Sequence, residues 1–266
     1  NAGVAVTSGS GSVTFDKTPP TISAIETSAL SWGAVLNSTE DDSAGAVTVT
    51  TSGAEDGQAV TITLNGETYT GSVSSNVATV TVSAAGLQDL THGSTYTLTA
   101  DVSDAAGNAA SQVTSSSFTV DTLVPTVNSV TSTNSDGNYN SGDQITVQVV
   151  FSQAVYVTGT PTITLATGGS GDVVSYSTGS GSQYLDFVYT VGTGDTSSDL
   201  DYASTSALAL VGSATIKDVN GNDATLTLAS PGATNSLADS KALVIDTAAP
   251  TLSSVSIASN NSTTTL

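Results

Sequence analysis

The chain of 266 residues has 23 acidic side chains and only three basic ones, all lysine, so its formal net charge is −20. Nucleic acid and anionic membrane surfaces are bound through clustered Lys and Arg, and this composition excludes both as partners. No stretch approaches the ~20 apolar residues of a membrane helix, so we expect no membrane insertion. Cysteine and methionine are absent. The lack of cysteine suits a large secreted bacterial protein, and we expect the chain to be an internal piece of a longer one.

One phrase, Asp-x-x-x-Pro-Thr, follows a strand-like apolar stretch three times along the chain. Its copies begin at Asp16, Asp121 and Asp246, which are 105 and 125 residues apart. Repeats on this scale are whole domains, not solenoid units. The predicted organisation is the last strand of a preceding repeat at 1–16, a domain at 17–121, a domain with longer loops at 122–246, and the first strand of a following repeat at 247–266.

Apolar residues alternate with polar ones through most of the first domain, which predicts half-buried strands. The runs lie at 47–49, 60–64, 78–82, 96–102 and 118–120. Asn65-Gly66 between two runs predicts a two-residue hairpin turn. Helical spacing is confined to Ser83–Leu90, where a turn or two of helix would fit. About seven short strands in such a length are typical of an immunoglobulin-like Greek-key sandwich.

The second domain repeats this alternation at 145–151, 185–191 and 243–245. The predicted fold class is therefore all-β, with tandem immunoglobulin-like Greek-key β-sandwich domains in an extended rod. The strands at both ends of the chain would lack partners, and an unpaired strand edge invites pairing with another chain. Trp32 is predicted to be a packing anchor at a domain end, and His92, the single histidine, to be solvated.

Several segments together resemble a known family. They are Ser31-Trp32-Gly33, Gly53-Ala-Glu55-Asp56-Gly57, Asp104-Ala-Ala-Gly107-Asn108, Asp195-Thr-Ser-Ser-Asp199-Leu-Asp201 and Lys217-Asp218-Val-Asn-Gly221-Asn222. The chain resembles the bacterial immunoglobulin-like tandem repeats of large secreted surface adhesins of the RTX and BapA type. The resemblance implies an extender role, an extracellular or bacterial cell-surface location, and neighbouring Ig-like repeats of the same chain as partners. It also implies calcium, because many such repeats bind Ca²⁺ at their joints.

Strand order predicts where the acidic loops meet the linkers. In a seven-stranded sandwich the B–C and F–G loops return to the end at which the incoming linker arrives. Ca²⁺ takes six to eight oxygen ligands from carboxylates, amide oxygens and backbone carbonyls, whereas zinc prefers Cys and His. The predicted calcium sets are Asp16 with Glu55, Asp56, Asp104 and Asn108; Asp121 with Asp218 and Asn222; and Asp246 with Asp136, Asn138, Asp199 and Asp201.

Two interpretations of these motifs stay open at this point. Asp, Gly and Asn are ordinary turn residues, so Asp-x-x-Gly-Asn also predicts a solvated turn. The Asp136/Asn138/Asn140 spacing resembles the start of a calcium loop, but no Glu closes it at the twelfth position. Of the three linkers, those at Asp121 and Asp246 are the ones we expect to bind calcium first, because the domains on both sides contribute acidic groups. At Asp121 the first domain would add Glu40, Asp41 and Asp42.

An enzyme is not expected, because one histidine supplies at most one catalytic base and the chain has no G-x-S-x-G or phosphate-loop motif. The predicted function is a calcium-rigidified extender, a mechanical spacer in adhesion or biofilm formation. The alternative is a subunit of a self-assembling extracellular filament, sheath or surface layer, in which identical subunits join by strand complementation. A third hypothesis, a glycan- or ice-binding module, requires a face of aligned Thr or aromatic residues.

Overall fold

The computed structural model describes residues 15–256. Residues 1–14 and 257–266, which hold most of the two predicted terminal strands, lie outside the described residues. The chain divides into two compact units. The first ends at Val124 and also contains Lys217–Asp223, and the second consists of Pro125–Ile216 and the residues from Ala224 onward. The domain limits proposed from the linker phrase stay a prediction.

Strands dominate the first unit, as the alternating pattern predicts. They are β1 Thr21–Ile22, β2 Val35–Asn37, β3 Gly45–Ser52, β4 Ala59–Leu64, β5 Glu67–Ser72, β6 Val77–Val82, β7 Thr95–Tyr96, β8 Leu98–Val102, β9 Val113–Thr114 and β10 Phe118–Asp121. A 3-10 turn at Thr27–Ala29 and the short helix α1 at Ala84–Gln88 complete the unit.

Three sheets enclose the core of this unit. β3 pairs with β1 and β6, β4 lies between β5 and β8 with β9 beyond, and β10 lies between β7 and β2. The β10–β2 pairing is parallel and aligns Asp121 with Asn37, so the last strand of the unit ends beside the second. The inward side chains of β3, β4, β6 and β8 form one buried apolar cluster, which is the sandwich core predicted from period-two spacing.

Local predictions in this unit are confirmed. β4 and β5 are joined by Asn65 and Gly66, whose φ angles are +50° and +87°. Both values suit a type I′ turn, in which left-handed backbone matches the twist of the two strands. α1 lies within the predicted segment, and the side chain of Ser83 caps it by accepting a hydrogen bond from the Gly86 amide.

Trp32 is a packing residue, as predicted. Its side chain is buried and meets Phe118 edge-on, with ring centroids 5.4 Å apart. Gly45 leaves the room for it, because a Cβ atom there would lie 2.5 Å from Trp32 Cζ3. The indole Nε1 is buried without a hydrogen-bond partner, so packing alone holds this ring.

The second unit is also almost entirely β. Its strands are β11 Val127–Ser132, β12 Gly137–Tyr139, β13 Gln144–Thr158, β14 Thr162–Leu165, β15 Asp172–Thr178, β16 Ser182–Thr190, β17 Thr196–Ser197, β18 Leu208–Ala209, β19 Thr215–Lys217, whose last residue belongs to the first unit, and β20 Leu243–Asp246. One helical turn, α2, spans Leu237–Ser240. The sequence gives no expectation of this helix. A four-residue helix shows no periodicity, and only its capping residue Ser236 signals it.

The sheets of the second unit repeat one feature of the first. A large sheet runs in the order β11-β13-β16-β15-β14-β18, and a small one in the order β12-β20-β17. β20 lies parallel to β12, with Asn138 opposite Val244, just as β10 lies parallel to β2. The final strand of each unit thus ends in a linker aspartate. Neither helix of the described chain has the length and hydrophobicity to cross a membrane.

Candidate functional site

The three linker aspartates form the same local turn. Each carboxylate accepts a hydrogen bond from the amide two residues ahead: Asp16 Oδ1 from Thr18 N at 2.9 Å, Asp121 Oδ1 from Leu123 N at 3.3 Å, and Asp246 Oδ1 from Ala248 N at 3.0 Å. This is the Asx turn, in which a short side chain replaces a backbone acceptor. The repeated aspartate therefore turns the chain where each final strand ends.

The first Asp-x-x-Gly-Asn loop closes on its own aspartate. Asp104 Oδ1 accepts the Asn108 backbone amide at 2.7 Å, and Asp104 Oδ2 accepts the Asn108 Nδ2 group at 2.8 Å. The backbone completes the loop, since the Asp104 amide donates to the Asn108 carbonyl at 3.1 Å. Asp104 is buried, and its charge is held by donors inside the loop.

The second loop has the same arrangement. Asp218 Oδ1 accepts the Asn222 backbone amide at 2.9 Å, and Asp218 Oδ2 accepts Asn222 Nδ2 at 2.8 Å. The Asp218 amide donates to the Asn222 carbonyl at 3.0 Å. Gly221 has a φ of +92°, a left-handed conformation that glycine adopts without strain. The spacing between aspartate and asparagine in the Asp-x-x-Gly-Asn motif is thus the spacing that closes this turn. The motif occurs twice because both loops form the same turn.

Each loop also reaches a linker aspartate through its asparagine. Asn108 Nδ2 donates to the Asp16 backbone carbonyl at 3.2 Å. Within the first unit, Asn222 Nδ2 donates to the Asp121 backbone carbonyl at 3.0 Å. The two side-chain hydrogens of each asparagine are therefore divided between the loop carboxylate and the linker backbone.

Hydrogen bonding lowers the pKa of Asp104 below its usual 3.8, chiefly through the Asn108 side chain and less through the backbone amides of Asn108, Ala106 and Gly107; burial opposes this effect. Because the folded-state pKa is depressed, the stabilisation is complete above pH 3.8 and is lost as the pH falls through the lower folded value. We predict that ¹³C NMR titration finds the Asp104 carboxyl pKa below 3.8, and that Asn108→Ala raises it. An unchanged pKa in the variant would contradict the assigned cause.

The two acidic residues of the first B–C loop face different ways. Glu55 Oε2 accepts the Ala105 amide at 2.8 Å, which brings Glu55 to the loop that contains Asp104. Asp56 Oδ1 instead accepts the Ser75 amide at 2.7 Å. Of the first predicted set, Asp16, Asp104 and Asn108 are linked by hydrogen bonds and Glu55 binds the backbone of the same loop, whereas Asp56 caps a separate turn.

Asp121 has additional neighbours that sequence reasoning missed. The Asn220 side chain donates to its carboxylate, and His92 Nδ1 lies 3.4 Å from Asp121 Oδ1 while it accepts the Thr122 amide at 3.1 Å. Asn222 Oδ1 accepts the Ser38 amide at 2.7 Å. His92 is half exposed, as predicted, but it contacts the linker. The partners in these contacts are about 30 to 180 residues apart in the sequence, so no local sequence pattern predicts the contacts.

The third predicted set is less concentrated around Asp246. Thr247 Oγ1 donates to the Asp195 carbonyl at 2.9 Å, which brings the 194–197 segment to this linker. Asp136 lies elsewhere, because β12 runs parallel to β20 and Asp136 Oδ1 accepts the Ala242 amide at the beginning of that strand. Asn138 is opposite Val244 in the middle of the pair.

The two remaining aspartates of the third set also differ in their surroundings. Asp199 is exposed. Asp201 is buried, and Asp201 Oδ2 accepts the Gly232 amide at 2.8 Å. Burial, with a smaller contribution from the Asp201 charge, raises the pKa of the neighbouring Tyr202 to about 12. Asp201 thus stabilises a loop inside the second unit.

The type of donor at the first two linkers suits a hard cation. Carboxylates, carboxamides and backbone carbonyls are the ligands that Ca²⁺ takes, and the described residues supply them together with no thiolate. Among residues 15–256, however, no group of three or more His, Cys, Asp or Glu side chains converges to hold a metal ion. The donors are therefore of the type that calcium binds. Their carboxylates already accept hydrogen bonds, Asp16 and Asp121 in the linker turns and Asp104 and Asp218 within their loops.

Comparison with solved structures supports the fold. A Ca²⁺-stabilized adhesin that helps an Antarctic bacterium reach out and bind ice is 24% identical over 87% of this chain and 49% of its own, with a TM-score of 0.50. A structure concerning host cell surface retention of a 1.5-MDa bacterial ice-binding adhesin is 24% identical over 76% of this chain and 60% of its own, with a TM-score of 0.41. A bacterial immunoglobulin-like domain from the M. primoryensis ice-binding adhesin is 33% identical over 38% of this chain and 95% of its own, with a TM-score of 0.28.

The first of these structures shares the class of fold. This chain spans about half the length of the first structure. No protein-family model matches the sequence, and a comparison with curated proteins finds no match. The chain is an all-β protein of immunoglobulin-like sandwiches, and the predicted resemblance to Ig-like repeats of bacterial surface adhesins is confirmed as a likeness of fold.

Proposed function

We propose that the chain is an extender segment of a large bacterial cell-surface or secreted adhesin, a mechanical spacer in adhesion or biofilm formation. The observation that supports this proposal best is the linker turn, which recurs at Asp16, Asp121 and Asp246 with the same hydrogen bond. A spacer needs similar connections between successive domains, and a repeated turn supplies them. The likeness of fold to a Ca²⁺-stabilized adhesin is consistent with this role.

Calcium is the cation that we propose for the linkers. Asp16, Glu55, Asp104 and Asn108 would hold it at the first linker, and Asp121, Asp218 and Asn222 at the second. A bound Ca²⁺ would supply positive charge to a chain of net charge −20, whose carboxylates otherwise repel one another. It would also stabilise the folded chain, by about 2.7 kcal/mol at a free concentration 100 times the dissociation constant.

We predict that equilibrium dialysis finds at least one tightly bound Ca²⁺ per chain in the presence of excess Mg²⁺. Asp104→Asn and Asp218→Asn should each weaken binding, because each removes a carboxylate charge from its linker set. Asp89→Asn is the matched control, since Asp89 is an exposed residue at the end of α1. The proposed sites would be contradicted if the wild type and all three variants bound Ca²⁺ equally. They would also be contradicted if Mg²⁺ displaced all of the bound Ca²⁺.

Small-angle X-ray scattering tests the mechanical part of the proposal. The maximum dimension of the chain should be larger and better defined with calcium than after addition of a chelator, because an ion that binds both the linker and its loop restricts the bending of the linker. An unchanged maximum dimension despite bound calcium would mean that the protein binds calcium but is not stiffened by it, which would contradict the mechanical role of the ion. Filaments that grow with protein concentration would instead favour the assembling subunit, whose joining strands would come largely from residues outside the described part of the chain.

A further inference from the structure

The asparagine of each Asp-x-x-Gly-Asn loop has a role beyond the turn itself. In both copies its Nδ2 group donates twice, once to the loop carboxylate and once to a linker carbonyl. We infer that the loop is a clamp that fastens the linker by these hydrogen bonds already in the calcium-free chain. We call the Asp16, Asp104 and Asn108 group the first Asn clamp, and the Asp121, Asp218 and Asn222 group the second.

The chemistry of the clamp requires a primary carboxamide. An NH₂ group offers two hydrogens in one plane, so it can bind a carboxylate and a carbonyl at the same time. Aspartate has no such donor, serine has one hydrogen, and alanine has none. The bond to the carboxylate is charge-assisted, which fixes the amide in the orientation that the second bond needs.

The acceptor on the linker is a backbone carbonyl, and the aspartate side chain presents it. The carboxylates of Asp16 and Asp121 each accept an amide two residues ahead, so the chain turns directly after the carbonyl that the clamp binds. The linker aspartate and the loop asparagine therefore act together. The two copies share this set of contacts although their loops are otherwise different in sequence, Ala-Ala in one and Val-Asn in the other.

The second clamp is the more enclosed of the two. Asn222 is fully buried, and its Oδ1 atom accepts the Ser38 amide at 2.7 Å. Asn108 is only half buried. Removal of the Asn222 carboxamide leaves buried polar groups without a partner, which costs more than the loss of a bond that water can replace. We therefore expect Asn222 to be the more sensitive position.

The three lysines provide a direct test, because trypsin cleaves after lysine and the chain has no arginine. Lys17 directly follows Asp16 and Lys217 directly precedes Asp218, so each reports on one clamp. Lys241 reports on neither. Limited trypsin digestion of the full chain, with mass spectrometry of the products, measures cleavage at all three sites at once. A chelator is present throughout, so failure of calcium to bind leaves this test unaffected.

We predict that Asn108→Ala raises the cleavage rate at Lys17 about fivefold, the order expected when a hydrogen bond to a neutral carbonyl is lost, and leaves Lys241 unchanged. Asn222→Ala should raise the rate at Lys217 by more, again without an effect at Lys241. Asn108→Asp and Asn222→Asp keep the shape but lack the amide donors and place a second carboxylate beside the first, so their effects should be at least as large as those of the alanine variants. Asn128→Ala, at an exposed position of β11, is the matched control.

The cleavage rates at the three lysines show whether the clamps hold the linkers. Local increases at Lys17 and Lys217 in the respective variants support the clamps. Wild-type rates in the folded variants would overturn them. If Asn222→Ala accelerates all three sites, the buried site has unfolded the chain, and the comparison of Asn108→Asp with Asn128→Ala at Lys17 then settles the question for the half-buried copy.

Discussion

Replacement of Gly179 by alanine should destabilise the second unit by about 3 kcal/mol or more. Gly179 has a φ of +116°, and an added Cβ would lie 1.9 Å from the backbone oxygen of Tyr184. A side chain in left-handed backbone costs ~1–2 kcal/mol, and overpacking adds ~1–3 kcal/mol. The obstacle is a backbone atom of the adjoining strand β16, which moves only if the β15–β16 pairing moves with it.

The same hairpin contains its own control. Gly181 also has positive φ, +85°, but an added Cβ would only contact Tyr156 Cε1 at 3.6 Å, an ordinary van der Waals distance. Gly181→Ala should therefore show the backbone cost alone, ~1–2 kcal/mol. Urea denaturation followed by far-UV circular dichroism measures both variants. Equal midpoints for the two would contradict the steric explanation.

Truncation of Trp32 to alanine should cost the first unit ~3–5 kcal/mol, the range for removal of a large aromatic side chain from a core. Trp32 is buried, contacts Phe118 and fills the space above Gly45. As the only tryptophan, it also identifies the unfolding transition of this unit, because its fluorescence reports on the first unit alone. In the variant, circular dichroism should show the unfolding transition of the first unit at a lower urea concentration and that of the second unit unchanged.

Trp32→Phe separates packing from hydrogen bonding. The indole Nε1 is buried without a partner, and an unpaired buried donor carries a desolvation cost of ~1–3 kcal/mol. Phenylalanine keeps most of the apolar contact and removes that donor, so we expect it to lose less than half as much stability as alanine does. A loss as large as that of Trp32→Ala would mean that the shape of the indole, and not its apolar area, holds this end of the core.

Local signals in the sequence predict much of the fold. Asn65-Gly66 specifies its hairpin because both residues accept positive φ, and Ser83–Leu90 contains α1 because a capping serine precedes a short apolar run. α2 shows the limit of such reasoning. Its four residues give no period, and the helix forms because Ser236 caps it and Leu237 is buried in the core of the second unit.

The candidate site divides in the same way. Asp16 and Asn108 are predicted to lie together from strand order alone, and a hydrogen bond joins them. Asp136 is predicted to approach Asp246, but the parallel pairing of β12 with β20 carries it to Ala242 instead. The direction of that pairing depends on tertiary contacts, which no pattern within the segment encodes.

The sequence alone determined the all-β class, the strand spacing and the three linker phrases, because alternation and Asx-turn chemistry are local properties of the chain. Tertiary structure decided what each polar group does. It assigned Glu55 to the Asp104 loop and Asp56 to a separate turn, and it buried Asp201, whose carboxylate accepts the Gly232 amide. It also gave Asn108 and Asn222 their second acceptor, since a carboxamide donates to whichever carbonyl the fold brings within reach.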